Sequence, residues 1–326
     1  MNNYYKQIAQ IVNEIEISSL GKVFIQSLPL KHDYIISMFE IDKKQQREKK
    51  LTAEIYKYFY SKGSDGDLYL NNPKDYLNIL RKANISKNKI IKGFKVISVN
   101  SDGSIIAENK NLRKLIHSGH FLNISSTNSE TKPGNIIQIY SPKEVIDPND
   151  SFYYVLGNTI NYDYPQTLVR FYFNLHAISS TLIIRELSDK LNKHKVFFHF
   201  KCLKNPNLYN RPDAGVLYLN KYDLSVSWTV IKPIFNTLKN KLKTAVPLFT
   251  LKLYDGIGFA ENPPNPNESF GMSRCRLIAE GIGQAHENKL PKSEWVNYII
   301  THIESQGYDL EKFYLNPNSR FPYDFN

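Results

Sequence analysis

The spacing of apolar residues changes near Ile90, from helical to strand-like, and that change limits the fold more than any single motif does. In residues 4–21, Ile8, Ile11, Val12 and Ile15 recur at helical spacing and predict a helix ending near Gly21. Residues 51–60, LTAEIYKYFY, predict a second amphipathic helix stopped by the turn SKGSDGD, and residues 76–83 predict a third that ends at Asn84 or Ser86. From Ile90 onward the apolar runs shorten. Residues 91–99, 103–107 and 136–140 are divided by turns in the manner of strands, while residues 118–134 are too polar to bury as a unit and predict a surface loop.

The rear of the chain mixes both periods. Residues 151–156, 168–175, 196–203 and 214–219 predict strands. Residues 179–191 predict a helix with Leu182, Ile183, Leu187 and Leu191 on its inner face, residues 224–242 are largely helical in pattern, and a last helix begins near Ser273. No internal repeat is present. The sum is an α+β fold, a helical front portion followed by a curved antiparallel or mixed sheet with packed helices. A junction near Pro148 and Asn149 separates residues 1–150, a helical and small-strand region suited to peptide recognition or to completing the core, from residues 151–326.

Forty-two Lys and Arg against 31 Asp and Glu give a formal charge of +11, which directs attention to anionic partners. Only DKKQQREKK, residues 42–50, concentrates that charge, as the solvated end of a helix or a short linker. The remaining lysines are scattered rather than set in a stripe with aromatic residues, so nucleic acid ranks below a small anionic ligand. Cys202 and Cys275 are too few for a disulfide scaffold and lack the clustered spacing of a structural zinc site. Reduced thiols in a cytosolic protein are expected, with no metal and no organic cofactor. The first residues carry no signal-peptide pattern and no stretch approaches transmembrane length, so no membrane association is expected. Export by a route without a cleaved signal stays open.

In LVRFYFNLH, strand parity puts Arg170, Tyr172 and Asn174 on one side and Val169, Phe171, Phe173 and Leu175 on the other. One face can enter a core while the other binds a polar group, or the segment is an ordinary half-exposed strand. In VFFHFKCLKNP, Lys201 shares parity with Phe197 and His199. Desolvation favours a free amine, which makes Lys201 a candidate base, and a snorkelling structural lysine is the alternative. His199 can exchange protons or pack against the sheet. Arg211 and Asp213 precede the next strand, where Asp213 can orient a cation or cap the turn.

Residues 246–285 join a Gly/Pro/Asn-rich loop to a short helical pattern and present Lys252, Glu261, Arg274 and Arg276. A solvated surface loop is the plain reading. The functional one has Lys252 and Arg276 clamping a phosphoryl group, Arg274 joining them if the helix begins late enough, and Glu261 neutralising the pocket or holding an arginine. The segment lacks GxxxxGK[S/T], so ATP hydrolysis has no basis.

In LVRFYFNL, FKCL, RPDAGVLYL, GIGFAENP and SFGMSRCRLIAEGI the chain resembles the HopA family of bacterial type III effectors and the related lyases of class V lanthipeptide and thioamitide biosynthesis. The resemblance is strongest over residues 168–285. It implies an α+β protein related to phosphothreonine lyases. Their biosynthetic members look like partners of a separate kinase that phosphorylates Ser or Thr in a precursor peptide. The lyase then eliminates phosphate, leaving dehydroalanine or dehydrobutyrine. On that reading Lys201 is the base, and Arg170, Lys252, Arg274 and Arg276 contact phosphate or carbonyl. His176 or His199 is the acid, with Tyr172 as a competing donor. Related phospholyases carry a His near the first cationic strand, a place held here by Arg170, Phe171 and Tyr172, with His176 four residues beyond Tyr172. That departure makes a noncatalytic effector-like protein, binding a partner protein or a phosphopeptide, the competing expectation.

Overall fold

The computed structural model describes residues 3–17, 22–26, 36–37, 44–61, 73–125, 130–163, 165–265 and 267–325. The expected helix end at Gly21, most of the SKGSDGD turn and the first two residues of the basic tract lie outside them. Helix α1 (Asn3–Glu14) buries Ile8, Ile11 and Val12 at helical spacing. It stops before the predicted end, because Ile15 begins a strand. That strand, β1 (Ile15–Ile17), joins β2 (Lys22–Ile25) and β3 (Ile36–Ser37) in a three-stranded sheet. Helix α2 (Lys44–Ile55) runs into a π-helical turn, Tyr56–Tyr60, and α3 (Pro73–Ala83) follows.

Strands β4 (Lys89–Val99), β5 (Ile105–Asn109), β6 (Leu112–Ile116), β7 (Phe121–Asn123) and β8 (Ile136–Ser141) form a five-stranded sheet in the order β6-β5-β4-β8-β7. Its own small core holds Phe94, Val96, Ile105 and Ile137. The predicted loop at residues 118–134 thus contains a short strand, β7, which pairs with β8.

The rest builds the larger sheet and its helices: β9 (Glu144–Ile146), β10 (Phe152–Leu156), β11 (Leu168–Phe173), α4 (Ser180–Lys193), β12 (His199–Leu203), β13 (Gly215–Asn220), α5 (Leu224–Leu238), β14 (Leu251–Tyr254), β15 (Ile257–Glu261), α6 (Phe270–Glu287) and α7 (Lys292–Ser305). The strand order is β14-β15-β11-β13-β12-β10-β9, and every described pair is antiparallel. The fold is α+β, with an antiparallel sheet where an antiparallel or mixed one was expected. Several elements escaped the sequence pattern, among them β6, β9, the β14–β15 hairpin and α7. The predicted loop after Val246 contains the β14–β15 hairpin, whose turn uses Gly256 at φ +72°; a Cβ there would lie 2.2 Å from the Lys243 carbonyl oxygen. Helix α7 packs on α6, with Ile299 close against Gly281.

Strand β11 sits third from one edge and separates two cores. Val169, Phe171 and Phe173 point into the first, with Leu217 and Phe259 of the neighbouring strands, Phe200 of β12, Leu80 of α3, Ile184 and Leu187 of α4 and Phe235 of α5. Tyr172 points into the second, with Val216, Ala260, Phe270, Cys275 and Ile278. That second core also contains Ile8, Leu51, Ile55 and Tyr60, so the front helices share apolar cores with the rear sheet. Tyr60 lies flat against the first turn of α6, where a Cβ on Gly271 would meet its ring at 2.4 Å. Gly271→Ala is therefore expected to push Tyr60 aside and cost about 1–3 kcal/mol in urea unfolding. An unchanged midpoint would mean that the Tyr60–Gly271 contact is not tight in solution.

Candidate functional site

The face of the large sheet opposite α4 and α5 carries two cross-strand rows. Tyr154, Lys201, Val216, Tyr172 and Gly258 are successive partners in one, and Leu156, His199, Tyr218, Arg170 and Ala260 in the next. Neighbouring strands are about 4.8 Å apart, so Lys201 and Tyr172 stand about 10 Å apart at the backbone, with the small Val216 between them.

Arg170 is buried, and its Nε donates to Asn262 Oδ1 at 2.8 Å, with a longer contact of 3.5 Å from its terminal nitrogen to the Glu268 carbonyl oxygen. Its guanidinium lies 5.3 Å from the centre of the Tyr218 ring. Burial opposes its charge, but the hydroxyls of Tyr218 and Tyr172 offset this and hold its pKa above the ordinary value. Among the described residues no carboxylate pairs with it. Beside it, the hydroxyls of Tyr60 and Tyr172 are buried and interact with one another, and that of Tyr172 with the Arg170 guanidinium. Burial raises the Tyr172 pKa to about 12, so that hydroxyl keeps its proton.

Lys201 is half-buried, and its amine sits 4.2 Å from the centre of the Phe152 ring and 6.0 Å from that of Tyr154. No carboxylate within the described residues forms an ion pair with it. Arg211 approaches the same Phe152 ring, at 5.9 Å, and makes a two-pronged pair with Asp213. It also donates to the Tyr56 hydroxyl at 2.9 Å. Tyr56 stacks on Tyr60 with ring centres 5.1 Å apart, so the π-helical turn carries the line from Arg211 back to Tyr172. π-Turns are rare and recur where side chains must be aimed at a site. Tyr56, Tyr60, Phe152, Tyr154 and Tyr218 were not singled out in the sequence. The Tyr density of YKYFY was the available signal for the first two.

The other candidates are dispersed. Asn174 lies just past β11, where its side chain donates to the Ala245 carbonyl at 3.0 Å and its backbone joins Gly256 and Lys243. His176 stands in the turn before α4, off the sheet face. His199 is on the face but two residues along β12 from Lys201. It is enclosed beside Phe197, and burial together with Lys114 lowers its pKa from 6.5 to about 4. Lys252 pairs with Gly258 at the opposite edge strand, four strands from Lys201 or about 19 Å, and its amine takes Asp255 at 2.6 Å on the surface.

The two arginines of α6 and Glu261 are occupied. Helix α6 starts at Phe270, with Ser269 capping Met272 N, so Arg274 already sits in the second turn and is fully buried. Its Nε donates to the Phe313 carbonyl at 2.8 Å and a terminal nitrogen to the Leu315 carbonyl at 2.7 Å, within an aromatic cage of Phe270, Tyr308 and Phe313. Burial lowers its pKa to about 10. Arg274 fastens the C-terminal segment and has no side open to a phosphate. Glu261 acts on the same segment: it accepts from Asn316 N and Ser319 Oγ, both at 2.7 Å, and from the Tyr323 hydroxyl at 2.6 Å. Arg276 bridges Glu268 at 3.0 Å and Glu280 at 2.8 Å. Strand parity therefore gathers Arg170, Tyr172 and Lys201, with Arg211 and Asp213 at their margin, while residues 252–276 brace the scaffold.

Among the described residues no helix is long and apolar enough to cross a membrane, and no cluster of metal-ligating side chains occurs. A family model described as the HopA1 effector protein family matches residues 147–315. No curated protein matches the chain by sequence. Two solved structures are similar over 83% of the chain, each at 14% identity. One is the effector protein from Pseudomonas syringae pv. tomato strain DC3000, covered over 95% of its length with a TM-score of 0.49. The other is the effector protein from Pseudomonas syringae pv. syringae strain 61, covered over 96% with a TM-score of 0.48.

Arg274→Met strands two interior carbonyls and is expected to cost on the order of 3 kcal/mol, whereas Arg276→Ala removes a half-exposed pair and should cost under about 1 kcal/mol. Similar unfolding midpoints for the two variants would contradict these assignments. His199 gives a pH dependence. Its folded pKa of about 4 lies below the ordinary 6.5, so the unfolded chain binds its proton first. Stability should fall as pH drops from about 6.5 towards about 4, by up to on the order of 3 kcal/mol from this group. His199→Phe should flatten that limb, and a wild-type acid limb retained in the variant would show that another group carries it.

Proposed function

The chain belongs to the HopA1 effector protein family, and from that membership we propose that it is a lyase acting on phosphoserine or phosphothreonine in a ribosomally made precursor peptide. One observation carries the reading: a buried guanidinium, Arg170, without a carboxylate partner among the described residues, beside the buried hydroxyls of Tyr60 and Tyr172, which meet each other and the guanidinium. A buried cation and buried hydroxyls left in that state are costly, and a phosphate dianion satisfies all of them at once. Lys201, which forms no ion pair with a carboxylate among the described residues, lies two strands away on the same face of the sheet.

Elimination follows from these groups. With the phosphate on Arg170 and the tyrosine hydroxyls, the Lys201 amine takes the proton from Cα. The electron pair of that C–H bond forms the Cα=Cβ double bond, the Cβ–O bond breaks, and phosphate leaves with its electrons. Tyr172 is the best-placed donor to the departing oxygen, ahead of His176 in its turn and His199 in its enclosure. Arg211, held in line by Asp213 and Tyr56, adds positive charge at the margin. A separate kinase supplies the phosphorylated peptide, and the product is dehydroalanine or dehydrobutyrine.

A second reading, phosphopeptide recognition without chemistry, is favoured by one contact. The face of the Phe152 ring is complementary to Lys201 as an ammonium, whereas a base must be the free amine. Purified protein with phosphoserine and phosphothreonine peptides separates the two. Phosphate release with a peptide lighter by one water than its unphosphorylated form supports the lyase; tight binding with phosphate retained supports recognition. Release that restores the hydroxyl identifies a phosphatase. For the lyase, Lys201→Ala should abolish elimination and keep most of the peptide affinity, while Arg170→Gln should weaken phosphopeptide binding roughly tenfold or more. Elimination by Lys201→Ala at the native rate would reject the assigned base.

A further inference from the structure

A cavity of about 340 Å³ opens where the five-stranded sheet meets the large one, and nothing in the proposed chemistry uses it. Phe197, Leu156, Ile160 and Leu168 supply apolar wall, and Lys114 of β6 and His199 of β12 bring polar ends to it. The volume falls in the range of functional pockets. Its charges are unevenly matched. Arg113 is drawn off to Glu108 at 3.1 Å, and Asp163 accepts from the side-chain amide of Asn220. Lys114 and His199 are left without an ion pair or a hydrogen bond among the described residues. Lys114 as a whole is exposed, yet the surroundings of its amine are dry enough to lower its pKa, and His199 stays neutral at physiological pH.

The cavity continues the proposed active face. His199 follows Lys201 at a spacing of two on the same side of β12, and its partners Tyr218 and Leu156 join it in the row that includes Arg170. Two residues along a strand advance about 6.6 Å, which is also the distance between side chains of one face in an extended peptide. A peptide held along β12 with its phosphorylated residue at Lys201 therefore directs the side chain two positions away towards His199.

We infer that the cavity is a specificity pocket for an acidic side chain two residues from the phosphorylated residue of the substrate. Its methylene stem packs on Phe197, Leu156 and Leu168, and its carboxylate accepts from the Lys114 ammonium and from a His199 ring N–H. The inference rests on the reading of the Lys201 face as a phosphopeptide site, and the test keeps the two apart.

Binding is measured for a phosphothreonine peptide with alanine two positions before and after the phosphorylated residue, for its unphosphorylated twin, and for versions with Glu, Gln or Lys at either flank. Glutamate at one flank should tighten Kd roughly fivefold over alanine, lysine there should weaken it, and Lys114→Met should bring the glutamate peptide back to the affinity of the alanine peptide. Equal Kd values for Glu, Ala and Lys peptides overturn the pocket while leaving the phosphate site standing, and so does a preference that survives Lys114→Met. A phosphorylated parent that binds no tighter than its twin overturns the phosphate site and the pocket with it. Because Lys114 is exposed on a surface strand, its replacement can be checked for native unfolding before binding is compared.

Discussion

The alternation of β11 is the constraint on which the rest of the molecule depends. Phe171 on one face packs against Phe235, Phe259, Trp228 and Phe325, and Phe173 against Phe200 and Phe235, so half of the strand is fixed in a dense aromatic core. A shift of one residue would turn those rings out and drive Arg170 into them. Register is thus enforced by this aromatic face, while the other packs Tyr172 into the second core and sets Arg170 beside it. An arginine without a carboxylate can persist at the centre of a sheet because its position is decided by the phenylalanines behind it.

Three arginines in the matched family region show how differently the same side chain is used. Arg274 spends its donors on the carbonyls of Phe313 and Leu315, which are neutral acceptors that keep it charged in a dry aromatic cage. Arg276 lies between two glutamates at the surface and is neutralised by them. Arg170 has an amide oxygen, a distant carbonyl and the neighbouring tyrosines Tyr172 and Tyr218, with no carboxylate among the described residues. Only the third is buried with neither a carboxylate nor a pair of close carbonyls to receive its charge. Arginine count and spacing do not distinguish these roles, and the acceptors that do lie 92 residues away for Arg170 and 39 to 41 for Arg274.

That distance explains what could be read in the chain and what could not. Parity along a strand is local, so the shared face of Arg170 and Tyr172, the placement of Lys201 two residues beyond His199, and most strands of the large sheet were legible from residue order. The helices of the front portion were legible too, apart from their ends. The role of residues 252–276 was not, because Glu261 and Arg274 act on a C-terminal segment that carries no periodic signal of its own. The hairpin of β14 and β15 was masked by the glycines and prolines around it. Gly271, which in the sequence looks like flexibility near a helix start, exists to admit the Tyr60 ring.

The front portion consequently has a part in the site that a division near residue 150 does not suggest. Tyr56 and Tyr60 come from a π-helical turn, where a local widening of the helix lets two rings four residues apart stack while their hydroxyls serve different partners. Tyr56 meets Arg211 and Asp213, and Tyr60 meets the Arg170–Tyr172 pair. Since α2 packs directly on α6, and α6 holds the C-terminal segment through Arg274, the two tyrosines are anchored at both ends of the chain. The π-helical turn is therefore held on the same face of the sheet as the half-exposed Lys201, Tyr154 and Tyr218.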